Sequence, residues 1–340
     1  MKNMMKYLIS SFVFAIILCL FFFIRLSDFD LSGYGKQRNI AFQHNKDVLQ
    51  GTLILPADTL NPPVVLIVHG DGAQDRWSED GYIPMVKFLV ARGIAVFSWD
   101  KPGVGASSGN WLEQTMTDRA EEAALALQKL KQEPELEKSR AGYLGFSQAG
   151  WVVPHVSQLA ASEFVVLIGA AINWRSQGVY YTGQRLKLEG RSTVDIQNAK
   201  ELEAEAFDRQ FTEETASRPC LSHCTRQDFE RRNSLADSTK DISEMHTPVL
   251  IMMGENDRNV ETNETLAVWA KTLPANTPHC LRLIPSATHG LLRSKWFDYQ
   301  LPSQFPLWKQ GAFLLLGEYA YSPGSLNAIS LWILNQKCSQ

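Results

Sequence analysis

The sequence predicts an α/β fold built on a mostly parallel, doubly wound sheet, and three features carry that expectation. Short, unbroken apolar runs recur along the chain, as in strands covered on both faces. Helical segments alternate with them, the order that produces parallel pairing. Glycine-containing turns follow the carboxyl ends of several runs, where open sheets of this kind place their ligands. The composition agrees: 340 residues, 45% of them hydrophobic and 20% charged, supply a full core and exclude the disordered class. With 33 Lys+Arg against 36 Asp+Glu the formal charge is −3, which argues against nucleic acid as a partner.

The N-terminus reads differently from the rest. Lys2 and Lys6 precede residues 7–24, YLISSFVFAIILCLFFFI, a run without charge that Arg25 closes. As a helix it rises about 27 Å, near the ~30 Å hydrocarbon core, so it reads as a transmembrane helix. Phe-Phe-Phe-Ile-Arg follows Leu20 where a cleavage site would need small residues, favouring an uncleaved anchor over a cleaved signal. Residues 1–30 are thus expected to be a membrane anchor or signal segment, and 31–46 a linker.

Strands follow. Residues 48–55 alternate as a strand with one exposed face does, and Pro63 introduces the β-branched run 64–68, ending at His69-Gly70. A helix is expected over 82–91 with Gly93 as its stop, a strand over 94–99, a helix over 119–132 halted before Pro134, and a strand over 141–146. Runs 164–168, 249–253 and 281–284 supply three more strands. Residues 47–172 and 246–340 therefore form the core. Between them, 173–245 holds no buried run, only polar, Glu-rich helical sequence, and reads as a helical cap inserted over the ligand crevice.

Outside the anchor stand four cysteines, Cys220, Cys224, Cys280 and Cys338, an even number that suits an oxidising compartment. The expected pairs are Cys220 with Cys224 and Cys280 with Cys338. One Cys-x3-Cys with His223 wedged inside it lacks the second ligand pair of a structural zinc site, so no metal is expected. The core is expected on the outer, extracytoplasmic face of a membrane, or secreted if the N-terminal segment is removed.

The chemistry-bearing residues lie just past strand ends. Gly145-Phe146-Ser147-Gln148-Ala149-Gly150 joins a strand to a helix. A nucleophilic serine on such a strained turn needs small residues two positions either side, which Gly145 and Ala149 provide. The hydroxyl needs a base, and the base an orienting acid. His289 in ATHG, past the last strand, is the candidate base. Asp257 in GENDRNV is the candidate acid, with Glu255 second. An oxyanion formed by serine attack needs preorganised donors: the backbone N–H of Gln148, and one from the loop His69-Gly70-Asp71-Gly72, assigned to Asp71 with Gly72 as alternative. His69 precedes the serine and reads as structural.

Together HGDGAQDR, WDKPGVGASSG, GFSQAG, GENDRNV and ATHG resemble the α/β-hydrolase superfamily, most of all its bacterial esterase and serine-peptidase-like branch, over roughly 47–334. The resemblance implies Ser147 as nucleophile, Asp257 as acid and His289 as base, and gives Asp100, Gly70, Gly72, Gly145 and Ala149 site-shaping roles. Ala149 departs from the second glycine of the elbow pattern, and the Asp71 carboxylate would oppose a developing negative charge if it turned inward.

The leading expectation is a membrane-anchored serine hydrolase cleaving carboxylic esters of small molecules through an acyl-enzyme. A peptidase specific for a free amino terminus or a thioesterase would use the same triad. A binding protein on a retained fold would ordinarily have lost a triad member. The triad needs no cofactor.

Overall fold

The computed structural model describes residues 2–57 and 59–338. Its strands are β1 (Lys36–His44), β2 (Asp47–Leu55), β3 (Val64–Val68), β4 (Ala95–Trp99), β5 (Ala141–Phe146), β6 (Phe164–Ile168), β7 (Val249–Gly254) and β8 (His279–Ile284). Its helices are α1 (Lys2–Leu26), α2 (Ile83–Val90), α3 (Met116–Leu130), α4 (Ala149–Leu159), α5 (Trp174–Leu188), α6 (Thr193–Gln210), α7 (Glu213–Ser217), α8 (Arg226–Asn233), α9 (Thr239–Ser243), α10 (Thr262–Thr272), α11 (Ser294–Phe297), α12 (Leu307–Leu316) and α13 (Ser325–Asn335).

The strands make one sheet in the order β1-β2-β4-β3-β5-β6-β7-β8. Pairing from β4 through β8 is parallel, while β2 runs antiparallel to both β1 and β4. The period of two along each central strand sends side chains to opposite faces. On β3, Val64, Leu66 and Val68 join one core with Ala123 and Leu127 of α3, Val152 and Val156 of α4 and Trp269 of α10. Val65 and Ile67 join a second core with Met85, Val86 and Leu89 of α2 and Ile329 and Trp332 of α13. Both faces are therefore covered, which is why β3 to β7 read as unbroken apolar runs. Between β6 and β7 the described elements are all helical, α5 to α9.

Two N-terminal expectations need correction. The stretch expected as a linker carries β1, an edge strand that pairs with β2 along its full length, Lys36 opposite Leu55 to His44 opposite Asp47. Asn45 closes that hairpin at φ 53°, a left-handed backbone that asparagine tolerates better than most residues. Only alternate residues of β1, Ile40, Phe42 and His44, are buried, so its composition is polar although its structure is regular.

The expected transmembrane helix is likewise not supported: among the described residues no helix is long and apolar enough to cross a membrane. The charge-free run between Lys6 and Arg25 lies within α1. Its last turn, moreover, is built into the domain. The Arg25 guanidinium donates to Leu315 O at 2.6 Å and Leu316 O at 2.5 Å, capping α12, and Phe29 packs edge-on to Phe313.

Both expected cysteine pairs are joined. Cys220 bonds Cys224 with Cα atoms 5.2 Å apart, and Cys280 bonds Cys338 at 5.8 Å, separations a disulfide spans without backbone movement.

Candidate active site

Ser147 stands between the end of β5 and the start of α4 with φ of 52°. Left-handed backbone at a residue other than glycine costs about 1–3 kcal/mol and persists only where its surroundings hold it. Here the Ser147 N–H donates to Ile168 O at 2.9 Å, while the Ser147 carbonyl accepts from Gly150 at 2.9 Å and Ala171 at 3.1 Å. These bonds fix the turn to the carboxyl end of β6.

The departure at Ala149 has a packing explanation. A Cβ on Gly145 would stand 2.6 Å from the Ala149 methyl and 2.8 Å from Leu167 Cδ2, so the bare Gly145 makes room for Ala149. The tight helix-to-strand approach falls one residue later, at Gly150, where a Cβ would meet Ala171 O at 2.2 Å.

Asp257 is buried just beyond β7. Its Oδ1 accepts the backbone N–H groups of Asn259 at 2.8 Å and Val260 at 2.9 Å, leaving Oδ2 to bond His289 Nδ1 at 2.8 Å. Glu255, the second candidate acid, accepts from Ser286 N at 2.8 Å instead. The His289 ring lies over the end of β6: a Cβ on Gly169, whose φ is 59°, would come within 2.7 Å of His289 Nδ1. Since the neighbouring Ile168 carbonyl holds Ser147 N–H, the sheet brings Ser147, Asp257 and His289 to one edge. With Nδ1–H donated to Asp257, Nε2 is left as an acceptor.

The loop after β3 lies against the elbow, with a Cβ on Gly70 falling 3.4 Å from Ser147 Cβ. Among the described residues, the backbone N–H groups of Asp71 and Gln148 have no protein acceptor. The Gly72 N–H lies near the Asp71 carboxylate and adds to what lowers its pKa. The Asp71 side chain itself turns away, to the cap: it accepts from Arg226 Nη1 at 2.8 Å, Arg226 Nη2 at 2.7 Å and Gln148 Nε2 at 3.0 Å. Burial raises the pKa of this carboxyl, but hydrogen bonds and charge from Arg226, with help from Lys101, outweigh it and hold the group below its ordinary value.

Asp100 braces rather than reacts. It accepts from the Arg76 guanidinium at 3.0 and 2.6 Å, from Arg76 N at 2.8 Å and from Ala106 N at 2.9 Å. Burial would raise its pKa, yet these bonds lower it on balance. His69 is structural: it bonds Trp99 O at 2.6 Å and stacks on Tyr82. Burial, seconded by the Lys101 charge, lowers its imidazole to about 3, so it is neutral.

Four residues of the site were not singled out by sequence reasoning. Tyr180 on α5 donates to Asp257 O at 2.7 Å, tying the cap to the acid's loop, and Arg226 on α8 holds Asp71. Lys101 and Arg119 lie buried beneath the loop after β3. Arg119 had a signal, since it sits one turn before Ala123 and two before Leu127 on the apolar stripe of α3. Lys101 had none beyond its place in WDKPGVG.

A sequence profile of the family described as serine aminopeptidase, S33, matches residues 61–295, well over half of the chain. The chain belongs to this family. It is an α/β hydrolase, as the motifs implied. Among solved structures of like fold, an esterase from Pyrococcus furiosus is 18% identical, with 84% of this chain and 92% of that chain covered and a TM-score of 0.54. Est1E from Butyrivibrio proteoclasticus, solved with ferulic acid, is 16% identical over 82% of this chain and 98% of its own, with a TM-score of 0.53. At such identities the likeness concerns the fold. No curated protein matches the chain.

Proposed function

We propose that this family member is a serine hydrolase that cleaves carboxylic esters of small molecules through an acyl-enzyme. The observation that carries the reading is the 2.8 Å bond between His289 Nδ1 and the buried Asp257 carboxylate, beside the left-handed Ser147. In this reading Ser147 Oγ attacks the ester carbonyl as its proton passes to His289 Nε2. The carbonyl π-electrons move to oxygen, where the N–H groups of Gln148 and Asp71 receive the charge. Collapse breaks the C–O bond, and His289 returns the proton to the departing alcohol. Water then attacks the acyl-enzyme with His289 again as base, releasing the carboxylic acid and restoring Ser147. Asp257 holds the imidazole in the required tautomer and stabilises it when protonated.

The family's name raises a second reading, a peptidase acting at a free amino terminus. Recognition of an ammonium group calls for an unpaired carboxylate near the elbow. Asp71 is committed to Arg226 and Gln148, and Glu230 to Arg226 at 2.7 Å, which favours the ester. The fold's likeness to proteins described as esterases is consistent with this. The test is a panel of p-nitrophenyl esters of increasing acyl length run beside aminoacyl p-nitroanilides. The ester reading expects kcat/KM for the best ester to exceed that for every anilide by at least tenfold; the reverse order would favour the peptidase. For location, the Cys220–Cys224 and Cys280–Cys338 bonds support an oxidising, extracytoplasmic compartment.

A further inference from the structure

We infer that Lys101 is a positioning residue for the oxyanion hole: it sets the Gly70–Asp71 peptide unit so that the Asp71 N–H faces the reacting carbonyl, with Arg119 fixing the preceding unit. The inference rests on the serine-hydrolase reading above and deepens it.

The geometry begins with peptide planarity. In a trans unit the C=O and the N–H point in opposite directions, so an anchor on one aims the other. The Asp71 N–H shares its unit with the Gly70 carbonyl, and Lys101 Nζ donates to that carbonyl at 2.6 Å. The same ammonium donates to Gly72 O at 2.9 Å, so both carbonyls flanking Asp71 are drawn to one buried charge. Arg119 Nη2 donates to His69 O at 2.6 Å, holding the preceding unit. Its Nη1 donates to Gln148 Oε1, and Gln148 Nε2 donates on to Asp71 Oδ1 at 3.0 Å. The two residues whose N–H groups would meet the oxyanion are thereby joined through one side-chain chain that Arg119 anchors.

Glycine at 70 and 72 leaves this loop intrinsically free to rotate its peptides. Nothing in the loop's own sequence forbids a unit whose carbonyl faces the substrate, which would repel the oxyanion rather than bind it. The buried ammonium penalises that rotation, because it would lose a charge-assisted bond in a site with little water to replace it. It also polarises the Gly70–Asp71 unit, strengthening the N–H as a donor. Burying Lys101 and Arg119 together is costly: loss of solvent, and for Lys101 then the like charge of Arg119, lowers both pKa values, that of Lys101 well below its ordinary value. Glu122, buried below and bonded to Trp99 Nε1 at 2.6 Å, and Asp71 above supply the opposite charge.

Lys101→Met removes both donors at similar volume, and Lys101→Gln restores one neutral donor. Wild type and both variants would be compared for p-nitrophenyl ester kinetics, for affinity towards an alkyl boronic acid that forms a tetrahedral adduct on serine, and for the labelling rate with a fluorophosphonate. Loss of one oxyanion donor costs about 10²–10³-fold in kcat. The clamp therefore expects a fall of that order in kcat for Lys101→Met, with KM nearly unchanged. Boronate affinity should fall by the same factor, the pH profile should keep its shape, and Lys101→Gln should recover part of the loss. Should Lys101→Met fail to fold, Lys101→Gln carries the same comparison. A folded variant with wild-type kcat and boronate affinity would overturn the clamp, as would a loss confined to KM. Wild type that neither labels nor hydrolyses esters would remove the serine-hydrolase reading itself, whereas an active wild type with an equally active variant removes the clamp alone.

Discussion

Asp257→Asn and Glu255→Gln separate two carboxylates that stand two positions apart in one turn. Asp257 Oδ2 bonds His289, so an amide there presents a donor to Nδ1 and favours the wrong tautomer; a loss of up to about 10⁴-fold in kcat is expected. Glu255 holds only the Ser286 amide, and its change should leave ester hydrolysis within a few-fold of wild type. Steady-state kinetics on the two variants decide between them, and a reversed order would move the acid to Glu255. A second prediction concerns His69. Its pKa falls from the ordinary histidine value of 6.5 to about 3 through burial and the Lys101 charge, so the native state refuses a proton that the unfolded chain accepts. The stability this group contributes is complete above pH 6.5 and is lost as pH drops towards 3, by about 1.4 kcal/mol per unit. Urea midpoints at pH 7, 6 and 5 should decline more steeply in wild type than in His69→Gln. Equal slopes would show that the imidazole is not held neutral.

The elbow's steric bargain is testable through α4. Gly150→Ala drives a Cβ against the Ala171 carbonyl, a backbone atom that cannot swing aside, and overpacking of this kind costs about 1–3 kcal/mol or more. Ala149→Gly opens space against Gly145 and should cost about 1 kcal/mol, the helix-propensity difference. Thermal melts should rank Gly150→Ala well below Ala149→Gly; the opposite ranking would mean that the close approach lies at the pattern's usual position. The cap also makes polar contacts with the loops of the site. Tyr180, Gln177 and Arg226 tie α5 and α8 to the acid loop and the oxyanion loop by hydrogen bonds and one ion pair. Apolar packing seats the cap as well: Phe229, Ile242 and Met245 join the core that holds α3 and α4, and Trp174 stacks on Trp151.

Taken across the chain, the two disulfides should contribute unequally. On the chain-entropy account, closing a loop of 58 residues between Cys280 and Cys338 is worth about 4 kcal/mol. The four-residue separation of Cys220 and Cys224 is worth about 2 kcal/mol. Paired serine substitutions, measured by guanidinium unfolding, should show the larger loss at Cys280 and Cys338. What the sequence revealed follows the same division between local and distant interactions. The strands β3 to β7 were legible because burial on both faces makes them continuous apolar runs, and Ser147, Asp257 and His289 because each lies directly past a strand end. The strand β1 was read as linker because an edge strand buries only alternate residues, here Ile40, Phe42 and His44. The Lys101 and Arg119 contacts were not legible, because they cross 31 and 50 residues of chain to reach Gly70 and His69. The reading of residues 7–24 as a span is not supported, since among the described residues no helix is long and apolar enough to cross a membrane, and the bond from Arg25 to Leu315 O, some 290 residues away, could not be read from the sequence.

The central claim is that Ser147 carries the reaction. The most direct measurement is labelling of the folded protein with a fluorophosphonate, locating the adduct by peptide mass, alongside ester hydrolysis by wild type and Ser147→Ala. The account predicts one adduct per chain, on the peptide containing Ser147, and a loss on the order of 10⁴-fold or more in kcat for the folded variant. Hydrolysis that survives Ser147→Ala, or an adduct on another residue, would contradict it.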